Sequence, residues 1–274
     1  MTGMINDKEG LKPLSKAEIL SNLQTGRFGR KLYIFDKIDS TNTRAYSLAE
    51  WGEEEGTLII AEEQYAGRGR RGRQWISPPL SGLWFSLILR PGFPSGRINR
   101  LVILTAVSAA QGIEDSTSLP VNLKWPNDIM LKSKKVGGIL IESNIEGERI
   151  KYAVTGIGIN VNQRSEDFKG ELSATATSLR IAARRMLNRI EILKAILNRM
   201  EFNYLNLLDK NFHLIVGEWK RRCPQIGSRI AVKSDSGSYT GEFLDLNSTG
   251  GLVLGINNGE LMEFVMADVE IIEE

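Results

Sequence analysis

The pattern of apolar and polar positions divides the chain into a larger part that mixes strands with helices and a smaller part of strands only. Runs rich in β-branched and aromatic residues predict strands at 31–38, 57–62, 83–90, 121–125, 135–144 and 151–162. Apolar positions at helical spacing predict helices at about 15–24, 39–51, 99–115, 187–208 and 211–222. Because the run from 83 to 90 is almost continuously apolar, we expect it to be a central strand.

The character of the sequence changes near Pro224. Between 226 and 272, short strands alternate with turns rich in Gly, Asn and Asp, which is typical of a small antiparallel barrel. We therefore expect a lead-in with one short helix at 1–30, a main domain at 31–223 and a small domain at 224–274.

Composition narrows the classes of function. The 35 Lys and Arg residues nearly balance the 33 Asp and Glu residues, and a net charge of +2 does not argue for a nucleic-acid partner. The single cysteine, Cys223, excludes an internal disulfide, and the single histidine, His213, weighs against zinc sites and histidine-dependent nucleophiles. The sequence shows no signal-peptide pattern and no apolar run of membrane length, so we expect a cytoplasmic protein without a membrane partner.

An arginine- and glycine-rich loop is the strongest local signal. Residues 67–73, called the arginine loop below, contain four arginines and three glycines, and Trp75 follows them. Guanidinium groups make charge-assisted hydrogen bonds to carboxylates and phosphates, and glycines let the backbone approach a ligand closely. The loop is therefore suited to binding anions. The alternatives are a solvated basic loop and an RNA-binding segment of the RGG type.

Three further elements carry weaker signals. Residues 124–128 read Lys-Trp-Pro-Asn-Asp, and the residue before the proline is restricted to extended backbone, which presents Asn127 and Asp128 at a strand end. Lys135 precedes two glycines at the start of an apolar strand and can direct a cation into a cleft. Residues 156–162 alternate Gly or Asn with Ile or Val, which indicates close packing or a ligand against the backbone. Taken singly, the first two elements are better explained by an ordinary turn and a surface lysine, and the third is also explained by a tightly packed strand.

In order and spacing, these elements resemble the biotin–protein ligase family. The matching motifs span about residues 30–165, and the small barrel extends the resemblance over nearly the whole chain. They are Asp39-Ser40-Thr41-Asn42, Gln64 with the arginine loop, residues 124–128, Lys135 with Gly137-Gly138, and Gly158-Ile159-Asn160. The resemblance implies an α+β fold, with a mixed-sheet catalytic domain like those of class II aminoacyl-tRNA synthetases and biotin or lipoate ligases, followed by an SH3-like β-barrel.

The resemblance also implies a reaction. Biotin and ATP form biotinyl-5′-AMP with release of pyrophosphate, and biotin then passes to a lysine of a biotin carrier domain of the acetyl-CoA carboxylase type. Mg²⁺ is expected with ATP, since it neutralises the phosphates. The adenylate is sensitive to water, so we expect the arginine loop and the polar segment 163–176 to close over the site, and both to be mobile without ligand.

Roles for individual residues follow from the resemblance alone. The implied catalytic residues are Lys135, Arg68, Arg70 and Asp128, and Asp128 is also the candidate for contact with the metal. The implied biotin-binding residues, several of them near the ureido ring, are Ser40, Thr41, Asn42, Gln64, Gly67, Arg68, Lys135 and Gly138. The implied nucleotide-binding residues are Arg68, Arg70, Arg71, Trp75, Lys124, Asn127 and Asn160.

Some members of the family carry an N-terminal winged helix-turn-helix and bind DNA. Here about 30 residues with one helix precede the first catalytic strand, so we expect the ligase-only form without a DNA partner. Three alternatives stay open: a lipoate–protein ligase, a nucleic-acid-binding protein that uses the arginine loop, and a relative that binds biotin without catalysis. The presence of Lys135 and all four arginines argues against the last. The sequence allows both a monomer and a homodimer.

Overall fold

The structure, a computed structural model, describes residues 10–208, 210–256, 259–265 and 267–272. The expected lead-in at 1–30 therefore lies partly outside the described residues. The helices are α1 (Lys16–Leu20), α2 (Thr41–Glu50), α3 (Asn99–Thr117), α4 (Leu172–Thr175), α5 (Leu179–Ala183), α6 (Arg189–Leu208) and α7 (Phe212–Arg221). The strands are β1 (Leu32–Ile38), β2 (Leu58–Gln64), β3 (Gly82–Leu89), β4 (Asn122–Lys124), β5 (Asp128–Leu131), β6 (Lys134–Glu146), β7 (Arg149–Asn160), β8 (Arg229–Ser234), β9 (Gly237–Leu246), β10 (Leu252–Gly255), β11 (Leu261–Phe264) and β12 (Asp268–Ile271).

Seven strands form one mixed sheet in the order β1-β2-β3-β7-β6-β5-β4 within the described residues. Strands β1 and β2 are parallel, and the other neighbouring strands are antiparallel. All residues of β3 are buried, and the strand lies between β2 and β7, which confirms the expected central position. The mixed fold expected from the sequence is confirmed as well.

Helices cover both faces of this sheet. Helices α3 and α6 pack against each other along the main core, and α2 packs against β2, β3 and β7 on the other face. At Gly112 of α3, a Cβ atom would lie 2.6 Å from the Ile196 Cα of α6, so the two helix backbones approach closely. The sheet is therefore buried between helical layers, and its strand ends remain available for a site.

The second sheet is antiparallel, with the order β11-β10-β9-β8-β12, and it is consistent with an SH3-like domain. It is joined to the larger part by buried polar contacts. The Trp125 indole N–H donates to the Gly250 carbonyl at 3.2 Å, and the Asn99 amide donates to the Val265 carbonyl. These contacts place β12 beside the turn that joins β4 to β5.

Several expectations about secondary structure need correction. Segment 163–176 was expected to be a loop, but it contains a 3-10 turn at Ser165–Asp167 and helix α4. The first helix, expected to reach residue 24, ends at Leu20. Strand β5 and helix α5 were not predicted, because each is too short to establish a period in the sequence. Among the described helices, none has the length and apolar character needed to cross a membrane.

The close approach of α3 and α6 predicts opposite effects for two Gly→Ala substitutions. Gly112→Ala places a methyl group against the α6 backbone, so we expect a loss of about 1–3 kcal/mol in the free energy of unfolding. Gly217→Ala in α7 meets no atom within 4 Å, and we expect a gain of about 0.5–1 kcal/mol because alanine favours the helix.

Urea denaturation of both variants and of the wild type measures these changes as shifts of the midpoint at constant slope. A Gly112→Ala protein as stable as Gly217→Ala would contradict the helix contact described here.

Candidate active site

A cavity of about 420 Å³ opens where the end of β2, the start of α2, strands β4 to β7 and strand β12 meet. Its size is ordinary for a small-molecule site. The structure brings most of the predicted site residues together around it: Ser40, Thr41, Asn42, Gln64, Arg68, Arg70, Arg71, Trp75, Lys124, Asn127, Asp128, Lys135 and Gly138.

Neutral polar side chains line one end of the cavity. Both the backbone N–H and the hydroxyl of Thr41 donate to Gln64 Oε1, at 2.8 and 3.0 Å, and Gln64 Nε2 donates to Ser77 Oγ at 2.8 Å. An amide oxygen has two lone pairs and an amide nitrogen two N–H groups, so Gln64 keeps one N–H for a ligand. Ser40 precedes helix α2, but its hydroxyl does not cap the helix. This end of the cavity therefore offers hydrogen bonds to an uncharged polar group.

Ser86, which was not predicted as a site residue, holds this polar cluster together. Its side chain is fully buried in β3, and its Oγ lies 2.8 Å from Thr41 Oγ1 and 2.6 Å from Asn42 Oδ1. The signal in the sequence is a single hydroxyl inside the apolar run Leu-Trp-Phe-Ser-Leu-Ile-Leu. A buried polar group of this kind needs a partner, so a lone serine in a central strand marks a polar cluster on one face.

Three glycines of β6 and β7, called the glycine surface below, let side chains from other elements pack directly against the sheet backbone. They are Gly138, Gly156 and Gly158. A Cβ on Gly158 would lie 2.5 Å from the Trp75 indole nitrogen, one on Gly138 would lie 3.3 Å from the Trp75 ring, and one on Gly156 would overlap the Asn42 amide. Trp75 and Asn42 are thus the side chains that require these positions to lack a Cβ atom.

Cationic side chains also line the cavity, and two of them form ion pairs beside the glycine surface. Lys135 Nζ lies 2.6 Å from Asp128 Oδ1 and 5.5 Å from the centre of the Trp75 ring. Arg68 Nη2 lies 2.7 Å from Glu142 Oε2, a carboxylate that was not predicted. These pairs keep two positive charges beside the glycine surface in a defined position.

Arg70 lies deeper than the other loop arginines. Its guanidinium donates to Asn127 Oδ1 at 3.1 Å and to the Ala267 carbonyl at 3.4 Å. Burial lowers the pKa of Arg70 from its ordinary value, and the negative charge of Asp268 opposes this effect. An arginine stays protonated at neutral pH even so, and Arg70 therefore carries a partly desolvated charge, which strengthens its attraction for an anion.

The small sheet contributes a carboxylate to the site. Nothing in the sequence around this residue predicts that role. Asp268 Oδ2 accepts hydrogen bonds from Arg71 at 2.6 Å and from Arg73 at 3.3 Å. Asp268, Val269 and Glu270 all line the cavity. The arginine loop is thus held between the large sheet and β12, with Arg71 in the left-handed region at φ 54°.

Two predicted site residues lie outside the cavity lining. Gly67 is packed at the start of the arginine loop, where a Cβ would lie 2.9 Å from Ser77 Oγ. Asn160 is buried; its Nδ2 donates to the Thr177 carbonyl and its Oδ1 accepts from Gln163 Nε2, both at 3.1 Å. Both residues fix the backbone around the site in this structure.

The described residues contain no group of three or more His, Cys, Asp or Glu side chains placed to hold a metal ion. Asp128, the predicted contact for a metal, is paired with Lys135. A cation bound here would therefore take most of its ligands from phosphate and water, as Mg²⁺ commonly does.

The paired arginines generate a prediction about the loop. Asp268→Asn removes the charge shared by Arg71 and Arg73, and exposed ion pairs contribute about 0.2–1 kcal/mol each. We expect trypsin to cleave within the arginine loop about fivefold faster, because cleavage follows the population of the open form.

Mass spectrometry of the peptides that end in the loop measures this rate. Asp245→Asn is the matched control, since Asp245 pairs with Lys220 elsewhere on the small sheet, at 2.5 Å. Equal cleavage of the loop in both variants would show that Asp268 does not restrain it.

Comparison with known proteins places the chain in a family. The sequence profile of the Biotin/lipoate A/B protein ligase family matches residues 34–160. The bifunctional ligase/repressor BirA of Bacillus subtilis is 38% identical over 258 residues, covering 94% of this chain and 79% of the relative. The biotin–[acetyl-CoA-carboxylase] ligase of Paracoccus denitrificans is 30% identical over 221 residues, covering 80% of this chain and 91% of the relative.

A solved structure agrees with these sequence relatives. The biotin protein ligase from Aquifex aeolicus, in complex with biotin and ATP, superposes with a TM-score of 0.76 at 30% identity, covering 89% of this chain and all of that one. Sequence and fold therefore agree, and the chain belongs to the biotin/lipoate A/B protein ligase family.

Proposed function

We propose that this chain is a biotin–protein ligase, which forms biotinyl-5′-AMP from biotin and ATP and transfers biotin to a lysine of a carrier protein. One observation carries the proposal: a neutral polar pocket and a cluster of cations share a single cavity, joined along the glycine surface. Biotin has a neutral ureido ring at one end and a carboxylate at the other. The Aquifex aeolicus relative binds biotin and ATP together, which supports this assignment.

The polar end of the cavity suits the ureido ring. Ser40 and Gln64 have hydrogen-bonding capacity left after their own contacts, and Thr41 holds Gln64 in a fixed orientation. A site built to satisfy ring N–H and C=O groups discriminates strongly against a ligand that lacks them. The dithiolane ring of lipoate lacks both groups, so this pocket favours biotin over lipoate.

The cationic end suits the reacting groups. In the first step, a carboxylate oxygen of biotin attacks the α-phosphorus of ATP, and pyrophosphate leaves. At about 4 Å and an effective dielectric constant of about 20, two unit negative charges repel by about 4 kcal/mol. Lys135 and Arg68 line the cavity and are proposed to contact the biotin carboxylate and the α-phosphate, and Arg70 and Arg71 are proposed to contact the phosphates of ATP. Their fixed charges offset the repulsion most where charge develops in the transition state.

Three further residues are proposed to contact the nucleotide. Lys124 and Asn127 line the cavity beside Arg70 and are proposed for the nucleotide. Trp75 packs against Gly138 and Gly158 and is proposed as a packing surface for the nucleotide. Mg²⁺ enters with ATP as part of the substrate.

In the second step, the carrier lysine attacks the carbonyl carbon of the adenylate. An amide bond forms, AMP leaves, and the lysine nitrogen loses a proton. Asp128 is the nearest carboxylate to Lys135, at 2.6 Å, and is proposed to accept that proton. A carrier domain of acetyl-CoA carboxylase is the proposed acceptor, since the Paracoccus denitrificans relative is named for that substrate. The cytoplasmic location, the lack of a DNA partner and the choice between monomer and homodimer stay predictions.

Exchange of labelled pyrophosphate into ATP tests the first step. With Mg²⁺ present, we expect exchange with biotin and little with lipoate or without acid. Lys135→Ala removes the cation beside the carboxylate, and we expect exchange to fall by about 100-fold or more.

Lys151→Ala is the matched control, because Lys151 pairs with the exposed Glu146 on the far end of the same hairpin. Exchange driven by lipoate instead of biotin would assign the chain to the other branch of the family. A folded wild-type protein that shows no exchange with either acid would refute the ligase assignment.

A further inference from the structure

The Asn42 amide has its orientation fixed by three groups on two strands, β6 and β3. Its Nδ2 donates to the Leu140 carbonyl at 3.3 Å and to Glu142 Oε2 at 2.9 Å, while its Oδ1 lies 2.6 Å from Ser86 Oγ. Turning the amide over would place its oxygen against a carbonyl and a carboxylate, which both accept hydrogen bonds only. The chemistry of these neighbours therefore allows one orientation.

This orientation decides what Asn42 can offer a ligand. Both N–H groups of Asn42 are used, and one lone pair of its oxygen faces the Ser86 hydroxyl. What remains is the second lone pair of Oδ1, which accepts a hydrogen bond and donates none. Asn42 is buried and lines the polar end of the cavity, so it is suited to a ligand N–H group.

Glu142 is the charged member of this arrangement. Its Oε2 accepts from Asn42 Nδ2 and also from Arg68 Nη2 at 2.7 Å, so one carboxylate oxygen joins the polar end of the cavity to the arginine loop. Glu142 does not itself line the cavity and therefore acts through these two neighbours. Its side chain is 28% exposed, which excludes a purely buried core role.

We propose that Glu142 is a positioning residue for biotin: it fixes the Asn42 amide so that Oδ1 accepts a ureido N–H, and it holds Arg68 beside the carboxylate end. The inference rests on the proposed function and deepens it, because it names the residue that sets the direction of one ring contact. Ser86 fixes the same amide from the opposite side.

Steady-state kinetics of pyrophosphate exchange test the proposal on the full chain. Glu142→Ala leaves the Asn42 amide free to turn and Arg68 without its partner, so we expect the KM for biotin to rise by about tenfold or more. The KM for ATP should change by less than about threefold, since neither Asn42 nor Arg68 is itself replaced. Glu142→Gln keeps an oxygen that accepts from both donors, and we expect it to recover most of the affinity for biotin.

Two controls separate positioning from a merely structural role. Glu146→Gln lies on the same strand and loses only an exposed pair with Lys151, so both KM values should match the wild type. In an Asn42→Ala background, Glu142→Ala should raise the KM for biotin by less than about threefold further, because the part of its effect that acts through Asn42 is already lost and only the part that acts through Arg68 remains.

A wild-type KM for biotin in a folded Glu142→Ala protein would overturn the proposal, as would a full effect of Glu142→Ala in the Asn42→Ala background. A fall in thermal stability with both KM values unchanged would show a structural brace and overturn it too. If the wild type itself shows no exchange with biotin, the proposed function fails and this inference fails with it. If the wild type is active and only the Glu142 result is negative, the function stands.

Discussion

The positive charges around the cavity depend on anionic partners drawn from distant parts of the fold. Asp128 on β5 pairs with Lys135, Glu142 on β6 pairs with Arg68, and Asp268 on β12 is shared by two further arginines. Without such partners, so many like charges in one cleft would repel one another and oppose folding. Charge compensation is therefore what lets a neutral protein keep a strongly cationic site ready for anionic substrates.

The same ion pairs have to rearrange when the anionic substrates bind. A carboxylate and a triphosphate compete for the guanidinium and ammonium groups that protein carboxylates hold in this structure. Only interactions that strengthen in the transition state accelerate the reaction, so the pairs that give way to the developing charge matter more than those that persist. The pair between Asp268 and the arginine loop also gives the small sheet a direct part in the site, which the chain order alone does not reveal.

The glycine surface determines the shape of one wall of the cavity. The sheet backbone of β6 and β7 forms one wall of the cavity, and any Cβ at Gly156 or Gly158 would displace Asn42 or Trp75. Because these side chains lie on the backbone, the neutral and cationic ends of the cavity are joined without an intervening row of side chains. An elongated ligand that is polar at one end and anionic at the other fits such a channel.

Side-chain type and spacing were enough to predict the elements with a long, regular period, such as the central strand β3 and helices α3 and α6, and the chemistry of the arginine loop. The set of cavity residues that includes Lys135 and Gln64 was predicted from the resemblance to the family. The sequence did not show that Gly67 and Asn160 lie outside the cavity lining, nor that Trp75 rests on Gly138.

The pairings at the site depend on the tertiary structure. Glu142 is 74 positions from Arg68, Ser86 is 44 from Asn42, and Asp268 is 197 from Arg71. In the sequence, Glu142 and Asp268 look like ordinary surface carboxylates, and the lone serine of the central strand indicates a polar cluster without showing which residues are its partners. Their roles arise because the sheet and the small domain bring them within hydrogen-bond distance of two arginines and the Asn42 amide. That proximity is a property of the fold.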